Sequence, residues 1–284
     1  MHDSSLTLAD GRSLAYAEIG DSTGPVVMSF HGAPGSRLDV AIIEDALTGL
    51  NVRVISADRP GYGRSSPQPG RHREDWPSDV AALADHLRVE RFAVMGVSSG
   101  GPYAVACSGL LPDRVASAGI VCGESDFGWD GAWDDYPEDA ATLMRVGSEA
   151  DAVAWCEAHY GPDGSGLLEG GMGELPPADQ AALQDEALVT ALITALGEAL
   201  RQGVGGYAQD IFVQGKPWGF DPSAIVAPVW ILHGEADTVV PVSHARHTAE
   251  VIPGARLMTL PDHGHVSILS EIPRLTTDLV SSLR

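Results

Sequence analysis

With 284 residues, of which 20% are charged, the chain is long enough to bury one large α/β core, with or without an insertion. Its formal net charge is −22, from 17 basic and 39 acidic residues. Such a field repels phosphate backbones and anionic lipids, so we expect neither nucleic acid nor a membrane as a partner.

The chain opens with a predicted β-hairpin, because residues 5–19 alternate in polarity around Asp10-Gly11. Short apolar runs then predict buried strands at 26–30, 52–57, 92–97, 116–121, 229–232 and 256–260. Helices are predicted at about 38–50, 78–87, 102–111 and 267–283. Apolar runs separated by crossover helices predict an α/β fold, with a mostly parallel central sheet and helices on both faces.

The strand pattern stops between about residues 124 and 218, where the sequence favours helices. Ser148 and Asp151 resemble a capping box at the start of a helix over 149–160. Within a predicted helix over 179–202, a leucine at every fourth position predicts a buried stripe, formed by Leu188, Leu192, Leu196 and Leu200.

Two glycine-rich segments, 161–166 and 170–173, lie between these helices and suit a hinge. We therefore predict that residues 1–123 and 219–284 form the α/β core. Residues 124–218 are predicted to form an inserted helical cap, which acts as a lid.

The compartment is predicted from the cysteines and from the N-terminus. Three cysteines cannot all pair and form no C-x-x-C motif, which indicates buried thiols in a reducing environment. The first ten residues have neither a basic start nor an apolar stretch, and no uncharged apolar run approaches the roughly 18 residues of a membrane span. A cytoplasmic protein without a signal peptide is expected.

The most informative segment is Gly96-Val97-Ser98-Ser99-Gly100, a G-x-S-x-G motif between a predicted strand and a predicted helix. Glycines two positions before and after Ser98 allow the backbone to turn sharply and to pass close by. The serine is then exposed near the free N–H groups of the helix start. Ser98 is therefore the predicted nucleophile, and Ser99 does not fit the motif because Val97 stands two positions before it.

A serine hydroxyl needs a base, and the base needs an orienting acid. Asp237 follows the predicted strand at 229–232, and His265 follows the one at 256–260. Both lie at the carboxyl edge of a parallel sheet, where Ser98 also lies and where open α/β sheets place their chemistry.

The chain resembles the α/β-hydrolase superfamily in five motifs, which occur in the family's order. They are His31-Gly32-Ala33-Pro34-Gly35-Ser36, Asp58-Arg59-Pro60-Gly61-Tyr62-Gly63-Arg64-Ser65, the Ser98 segment, His233-Gly234-x-x-Asp237-x-x-x-Pro241 and Gly264-His265. The resemblance covers both sheet segments and implies a serine hydrolase with a helical cap and a His-Gly-x-Pro-Gly loop.

By this resemblance, Ser98 is the nucleophile, His265 the general base and later the acid, and Asp237 the orienting carboxylate. The oxyanion hole is expected from the backbone N–H groups of Ala33 and Ser99. A serine stands where dehalogenases and epoxide hydrolases use aspartate, and this favours an acyl-enzyme over an alkyl-enzyme.

Other residues compete for two of these roles. His263 is a rival base, although we favour His265 because a glycine precedes it. Glu124 and Asp126, just past the strand at 116–121, are rival acids, and we favour Asp237.

The remaining candidates have ordinary structural interpretations. His31 and His233 are interpreted as hydrogen-bonded loop residues, and the Asp58–Ser65 segment as structural. His244 and His247 lie one helical turn apart, but without a recognisable ligand spacing we expect a solvated helix face. No metal and no cofactor are expected.

The sequence thus predicts a carboxylesterase-like serine hydrolase that cleaves small carboxylic esters through an acyl-enzyme. The same three residues would also suit a C–C bond or amide hydrolase, a lyase or an acyl transferase. A non-catalytic ligand receptor of the same fold is the alternative from another class. The expected partner is a small-molecule, ester-like substrate, and a homo-oligomer is left open.

Overall fold

The computed structural model describes residues 1–169 and 174–283, which form an eight-stranded sheet with helices on both faces. The strands are β1 (His2–Thr7), β2 (Ser13–Gly20), β3 (Val26–Phe30), β4 (Arg53–Ala57), β5 (Phe92–Val97), β6 (Val115–Val121), β7 (Val229–Gly234) and β8 (Arg256–Leu260). They lie in the order β1-β2-β4-β3-β5-β6-β7-β8. β2 is antiparallel to both neighbours and the pairs from β4 to β8 are parallel, which confirms the mostly parallel sheet.

The predicted hairpin is present as β1 and β2. Gly11 adopts a φ of 87° in the turn between them, and its N–H donates to the Leu8 carbonyl at 2.9 Å. Leu6 and Leu14 face each other across the pair, and Leu14 is buried in the core. Exposure alternates along the edge strand β1, whereas β2 is buried on both faces, with Leu14 and Tyr16 in one apolar cluster and Ala17 and Ile19 in the other.

Helices cover both faces of the sheet. They are α1 (Trp76–His86), α2 (Gly101–Leu110), α3 (Glu138–Met144), α4 (Glu149–Tyr160), α5 (Ser165–Glu169), α6 (Pro177–Ala182), α7 (Glu186–Ala199), α8 (Gly205–Gln214), α9 (Val242–Val251) and α10 (Ile272–Ser281). One apolar cluster packs α1, α2 and α9 on one sheet face, and a second packs α10 on the other. β5 and β6 lie between the two clusters, which explains why they are apolar on both faces.

Three predicted helices differ from the observed ones. The segment at 38–50 forms two short 3₁₀ helices, Arg37–Ile42 and Asp45–Leu47, instead of one α-helix. Ser36 starts the first with a capping box, and Gly49, with a φ of 88°, follows the second. The last helix likewise divides into a 3₁₀ turn, Ser267–Glu271, and α10.

The helix predicted over 179–202 divides into α6 and α7, because Asp185 caps the start of α7. Its Oδ1 accepts from the N–H groups of Ala187 and Leu188. The predicted leucine stripe is only partly buried: Leu200 is buried, whereas Leu188, Leu192 and Leu196 are half-buried. The buried residues of α7 are Ala195 and Ala199, so the packed face is offset from the leucines.

Between β6 and β7 the described residues form α3 to α8 and no strand. Helices α3, α4, α5 and α8 share an apolar cluster, in which α8 packs against α3 and α4. Helix α7 packs instead on the 3₁₀ helix Arg37–Ile42. Ser148 caps α4, as predicted, by accepting from the Asp151 N–H at 3.2 Å. The boundaries of the cap at 124 and 218 stay a prediction, and the glycine-rich segment 170–173 lies outside the described residues.

None of the described helices combines the length and the apolar composition that crossing a bilayer requires.

Candidate active site

Three strand ends meet at the carboxyl edge of the sheet, and each is followed by one of the predicted site residues. Ser98 comes directly after β5, Asp237 lies three residues past β7, and His265 follows β8. His265 Nδ1 donates to Asp237 Oδ2 at 2.8 Å, and its Nε2 lies 3.1 Å from Ser98 Oγ. The structure therefore brings the serine, the imidazole and the carboxylate into one hydrogen-bonded chain.

The turn at Ser98 is strained and depends on glycine. Ser98 adopts a φ of 53°, in the left-handed region that L-residues with a side chain rarely occupy. A Cβ at Gly96 would lie 2.1 Å from the Gly100 carbonyl oxygen, and one at Gly100 would lie 2.2 Å from that of Phe30. Glycine at both positions thus permits the close backbone approach that presents Ser98 to His265.

The Asp237 carboxylate is fixed by more than the histidine. Oδ1 accepts from the N–H groups of Val239 and Val240 at 2.8 and 2.9 Å, and His233 Nε2 lies 3.4 Å from Oδ2. Burial would raise the pKa of Asp237, but His265 and the hydrogen bonds outweigh it and hold this pKa well below its usual value. The carboxylate therefore stays ionised and oriented toward His265.

His265 is half-buried, and two opposing effects act on its protonation. Burial favours the neutral imidazole, whereas the ionised Asp237 carboxylate, hydrogen-bonded to Nδ1, favours the imidazolium. The carboxylate prevails and raises the pKa of His265 well above 6.5.

Cys122 is a contact of His265 that the sequence interpretation missed. The cysteine lies just past β6, is fully buried and adopts a φ of 42°. Its Sγ lies 4.0 Å from His265 Nε2 and donates to the His265 carbonyl at 3.7 Å. Burial raises the pKa of the Cys122 thiol, which keeps it protonated at neutral pH. Cys122 could have been predicted as a neighbour of His265 from its position at the end of a buried strand, on the same edge of the sheet.

Cys122, Asp237 and His265 also bring three ligand-type atoms within 4.8 Å of one another. Asp237 contacts Nδ1 of the imidazole, however, and Cys122 approaches Nε2. The contacts of 2.8 Å from Nδ1 to Asp237 and 3.1 Å from Nε2 to Ser98 Oγ are direct hydrogen-bond distances, which is the arrangement of a hydrogen-bonded relay.

The rival residues have other contacts. The Ser98 hydroxyl meets His265, while the His263 backbone carbonyl accepts from Ala236 N–H at 3.0 Å. Glu124 is buried with Tyr136 Oη 3.5 Å from its Oε1, and burial raises its pKa to about 7. Asp126 Oδ1 accepts from the backbone N–H groups of Gly128 and Trp218. Asp237 is thus the carboxylate that the structure places on His265.

The predicted oxyanion loop passes directly beside the serine. A Cβ on Gly32 would lie 3.5 Å from Ser98 Cβ, which places the next residue, Ala33, alongside the nucleophile. Ser99 follows Ser98 in the same turn and is buried. The roles of the Ala33 and Ser99 N–H groups stay predictions.

His31 and His233 are buried and hydrogen-bonded. His31 Nε2 accepts from the Arg59 N–H at 3.1 Å, and His233 Nε2 donates to the Val240 carbonyl at 2.9 Å. Asp58, in the segment interpreted as structural, accepts from Arg37 and from the Arg64 N–H.

The expectation of a solvated face at His244 and His247 is wrong. His244 is fully buried: its Nδ1 accepts from Ser125 N–H at 3.1 Å, and its Nε2 donates to the Ala132 carbonyl at 3.0 Å. His247 stacks on Trp129 with ring centroids 4.3 Å apart. The segment after β6 folds over α9 and covers both histidines, a contact that helical spacing alone does not reveal.

Comparisons with known proteins agree with this architecture. A family model described as alpha/beta hydrolase fold matches residues 25–272. A bifunctional esterase/perhydrolase from Acinetobacter calcoaceticus is 25% identical, over 98% of this chain and 99% of its own length. A non-heme haloperoxidase from Rhodococcus erythropolis is 27% identical over 97% of each chain.

Solved structures show the same fold along the whole chain. A hydrolase from Pseudomonas aeruginosa PA01 is 25% identical with a TM-score of 0.67, over 99% of this chain and 98% of its own. The enol-lactonase from Burkholderia xenovorans LB400 has a TM-score of 0.74 at 21% identity, over 99% of both chains. The fold and the matched family model together place this chain in the class of hydrolases that are built on a mostly parallel sheet. The chain belongs to the alpha/beta hydrolase fold family.

Proposed function

We propose that this protein is a cofactor-independent serine hydrolase that cleaves small carboxylic esters through an acyl-enzyme. The observation that carries the proposal is the chain from Ser98 Oγ through His265 to Asp237, with contacts of 3.1 and 2.8 Å. Both distances lie within the reach that proton transfer requires. The Acinetobacter calcoaceticus relative is a bifunctional esterase/perhydrolase, which supports an ester substrate.

In this mechanism His265 removes the Ser98 proton as Oγ attacks the ester carbonyl. The N–H groups of Ala33 and Ser99 stabilise the resulting oxyanion, and the imidazolium then protonates the leaving alcohol. Water, deprotonated by His265, attacks the acyl-enzyme and releases the acid. Asp237 keeps the imidazole in the tautomer that accepts at Nε2.

A fluorophosphonate probe and p-nitrophenyl esters of increasing chain length test this proposal. Ser98→Ala is expected to abolish labelling and to lower kcat by about 10⁶. Cys122→Ala is the matched control, because it removes the other nucleophile beside His265 and is expected to keep labelling at Ser98.

Labelling that persists in Ser98→Ala and disappears in Cys122→Ala would contradict the assignment of the nucleophile. A wild-type protein that neither reacts with the probe nor turns over esters, lactones or amides would instead favour a ligand receptor. Turnover of amides or β-diketones in preference to esters would retain the mechanism and overturn the substrate class.

A further inference from the structure

A fully buried ion pair joins the segment after β4 to helix α8 of the predicted cap. Arg59 Nη2 lies 2.7 Å from Asp210 Oδ2, and both side chains have no exposed surface. Arg59 Nε also donates to the same carboxylate at 3.2 Å. A buried pair of this kind is a weak source of stability, since desolvation of both charges offsets much of their attraction. The position of this ion pair is therefore more informative than its contribution to stability.

The remaining donors of Arg59 are directed at the loop that precedes Ala33. Nη1 donates to the His31 carbonyl, and Nη2 donates to the Gly32 carbonyl at 2.9 Å. His31 contributes a further donor: because its Nε2 accepts from the Arg59 N–H, its proton lies on Nδ1, which is 2.7 Å from the Gly32 oxygen. The Gly32 carbonyl is thus held by two side chains.

This carbonyl belongs to the peptide group whose N–H is that of Ala33. The peptide is planar and trans, so its oxygen and its N–H point in opposite directions. Fixing the oxygen therefore fixes the direction of the N–H, which is the predicted oxyanion donor. A cation on the oxygen also polarises the amide and strengthens it as a donor.

Asp210 is itself held rigidly from the core side. Oδ1 accepts from Arg71 Nη2 and from Tyr103 Oη, both at 2.6 Å, and Oδ2 lies 3.2 Å from Tyr62 Oη. Burial would raise the pKa of Asp210, but Arg59, Arg71 and these hydrogen bonds lower it well below its usual value. The carboxylate stays charged inside the protein.

We propose that Arg59 and Asp210 are positioning residues that align the Ala33 N–H, so that a competent oxyanion hole requires the specific Arg59–Asp210 contact between helix α8 and the core. The inference rests on the proposed function. It assigns to the Arg59 segment a role in catalysis beyond the structural one expected from its sequence.

Asp210→Asn tests the inference, since it preserves the shape of the side chain and removes the charge. Arg59→Lys is the second variant, because one ammonium group cannot reach two carbonyls and a carboxylate at once. Arg73→Lys is the matched control: Arg73 is also buried and also holds α8, through the Val213 and Gln214 carbonyls, but has no contact with the oxyanion loop in the described residues.

The readouts are kcat and KM with p-nitrophenyl acetate, the rate of fluorophosphonate labelling, and the inhibition constant of a trifluoromethyl ketone. All are normalised to the folded fraction measured by circular dichroism. Asp210→Asn and Arg59→Lys are expected to lower kcat and the labelling rate about 10- to 100-fold while KM changes less than threefold. The ketone forms an oxyanion on Ser98, so its inhibition constant should rise in parallel with the loss of kcat/KM. Arg73→Lys should lower only the melting temperature.

Three outcomes would overturn the inference. The first is labelling within threefold of wild type in both variants. The second is an equal kinetic loss in Arg73→Lys. The third is failure of both Asp210→Asn and Arg59→Lys to fold. Either the second or the third outcome would show that the contact is purely structural. A wild-type protein that is not labelled at Ser98 would instead contradict the proposed function, so the two failures are distinguishable.

Discussion

At the scale of single residues, the contact between His265 and Asp237 determines the pH at which Ser98 can lose its proton. In the proposed mechanism the neutral imidazole is the active form, so activity is lost as the pH falls through the pKa of His265. That pKa is raised, because the Asp237 carboxylate outweighs the effect of burial. The acidic limb of the kcat/KM profile is therefore expected above pH 6.5.

Asp237→Asn should move this limb to lower pH and reduce kcat by about 10⁴, because the imidazolium loses its carboxylate and the tautomer is no longer fixed. The measurement is a pH–rate profile with p-nitrophenyl acetate from about pH 5 to 9. Asp126→Asn is the control, since Asp126 caps backbone N–H groups away from His265. If the acidic limb moves in the control and stays in place in Asp237→Asn, Asp237 is not the orienting acid.

The sequence predicted the contacts of His265 only where the contacting residue belongs to a recognisable motif. Ser98, Asp237 and His265 each follow a strand at the same edge, so topology alone brings them near one another. The pair of Arg59 and Asp210 carries no such signal, because 151 positions separate the partners and two buried charges are rarely expected. Tertiary packing of α8 decides that contact.

At the scale of elements, buried strands were the easiest to predict and the limits of helices the hardest. The runs at 26–30 and 92–97 coincide with the buried strands β3 and β5. The run at 256–260 coincides with β8, but β8 is the edge strand and its residues are exposed or half-buried, not buried as predicted. A strand inside a covered parallel sheet must be apolar on both faces, so its limits are visible in the sequence. Segments 38–50 and 179–202 differ because local capping, by Ser36 and by Asp185, determines where their helices begin.

Helix α7 provides a prediction at this scale, because Gly197 lies in its interior and a Cβ there meets nothing within 4 Å. Gly197→Ala is expected to raise the free energy of unfolding by roughly 0.5–1 kcal/mol, since alanine loses less backbone entropy in a helix. The test is urea denaturation followed by circular dichroism.

The same substitution in the next helix serves as the control. A Cβ on Gly206 of α8 would lie 2.3 Å from the Gly61 carbonyl oxygen, so Gly206→Ala should destabilise the protein. Destabilisation by Gly197→Ala would mean that α7 packs more tightly than its exposed surface indicates.

At the scale of the whole molecule, the predicted cap and the core are joined by polar as well as apolar contacts. Arg59 reaches Asp210 of α8, Arg37 reaches Glu198 of α7 at 2.7 Å, and His244 of α9 donates to the Ala132 carbonyl. These contacts connect the segment between β6 and β7 to three separate parts of the core. The Arg59–Asp210 pair is the one among them that also reaches the Gly32 carbonyl, beside Ser98.

The net charge of −22 leads to a prediction for the molecule as a whole, because 39 acidic and 17 basic residues leave most carboxylates without a cationic partner. Self-repulsion favours expanded states, and salt screens it: the Debye length falls from about 30 Å at 0.01 M to about 3 Å at 1 M. The melting temperature at pH 8 is therefore expected to rise with NaCl over this range. The same titration at pH 5, near the isoelectric point of about 4.6, should show a much smaller rise because the net charge is nearly neutralised. A melting temperature that falls with salt at pH 8 would show instead that surface ion pairs, such as the one between Arg114 and Asp85, outweigh the repulsion.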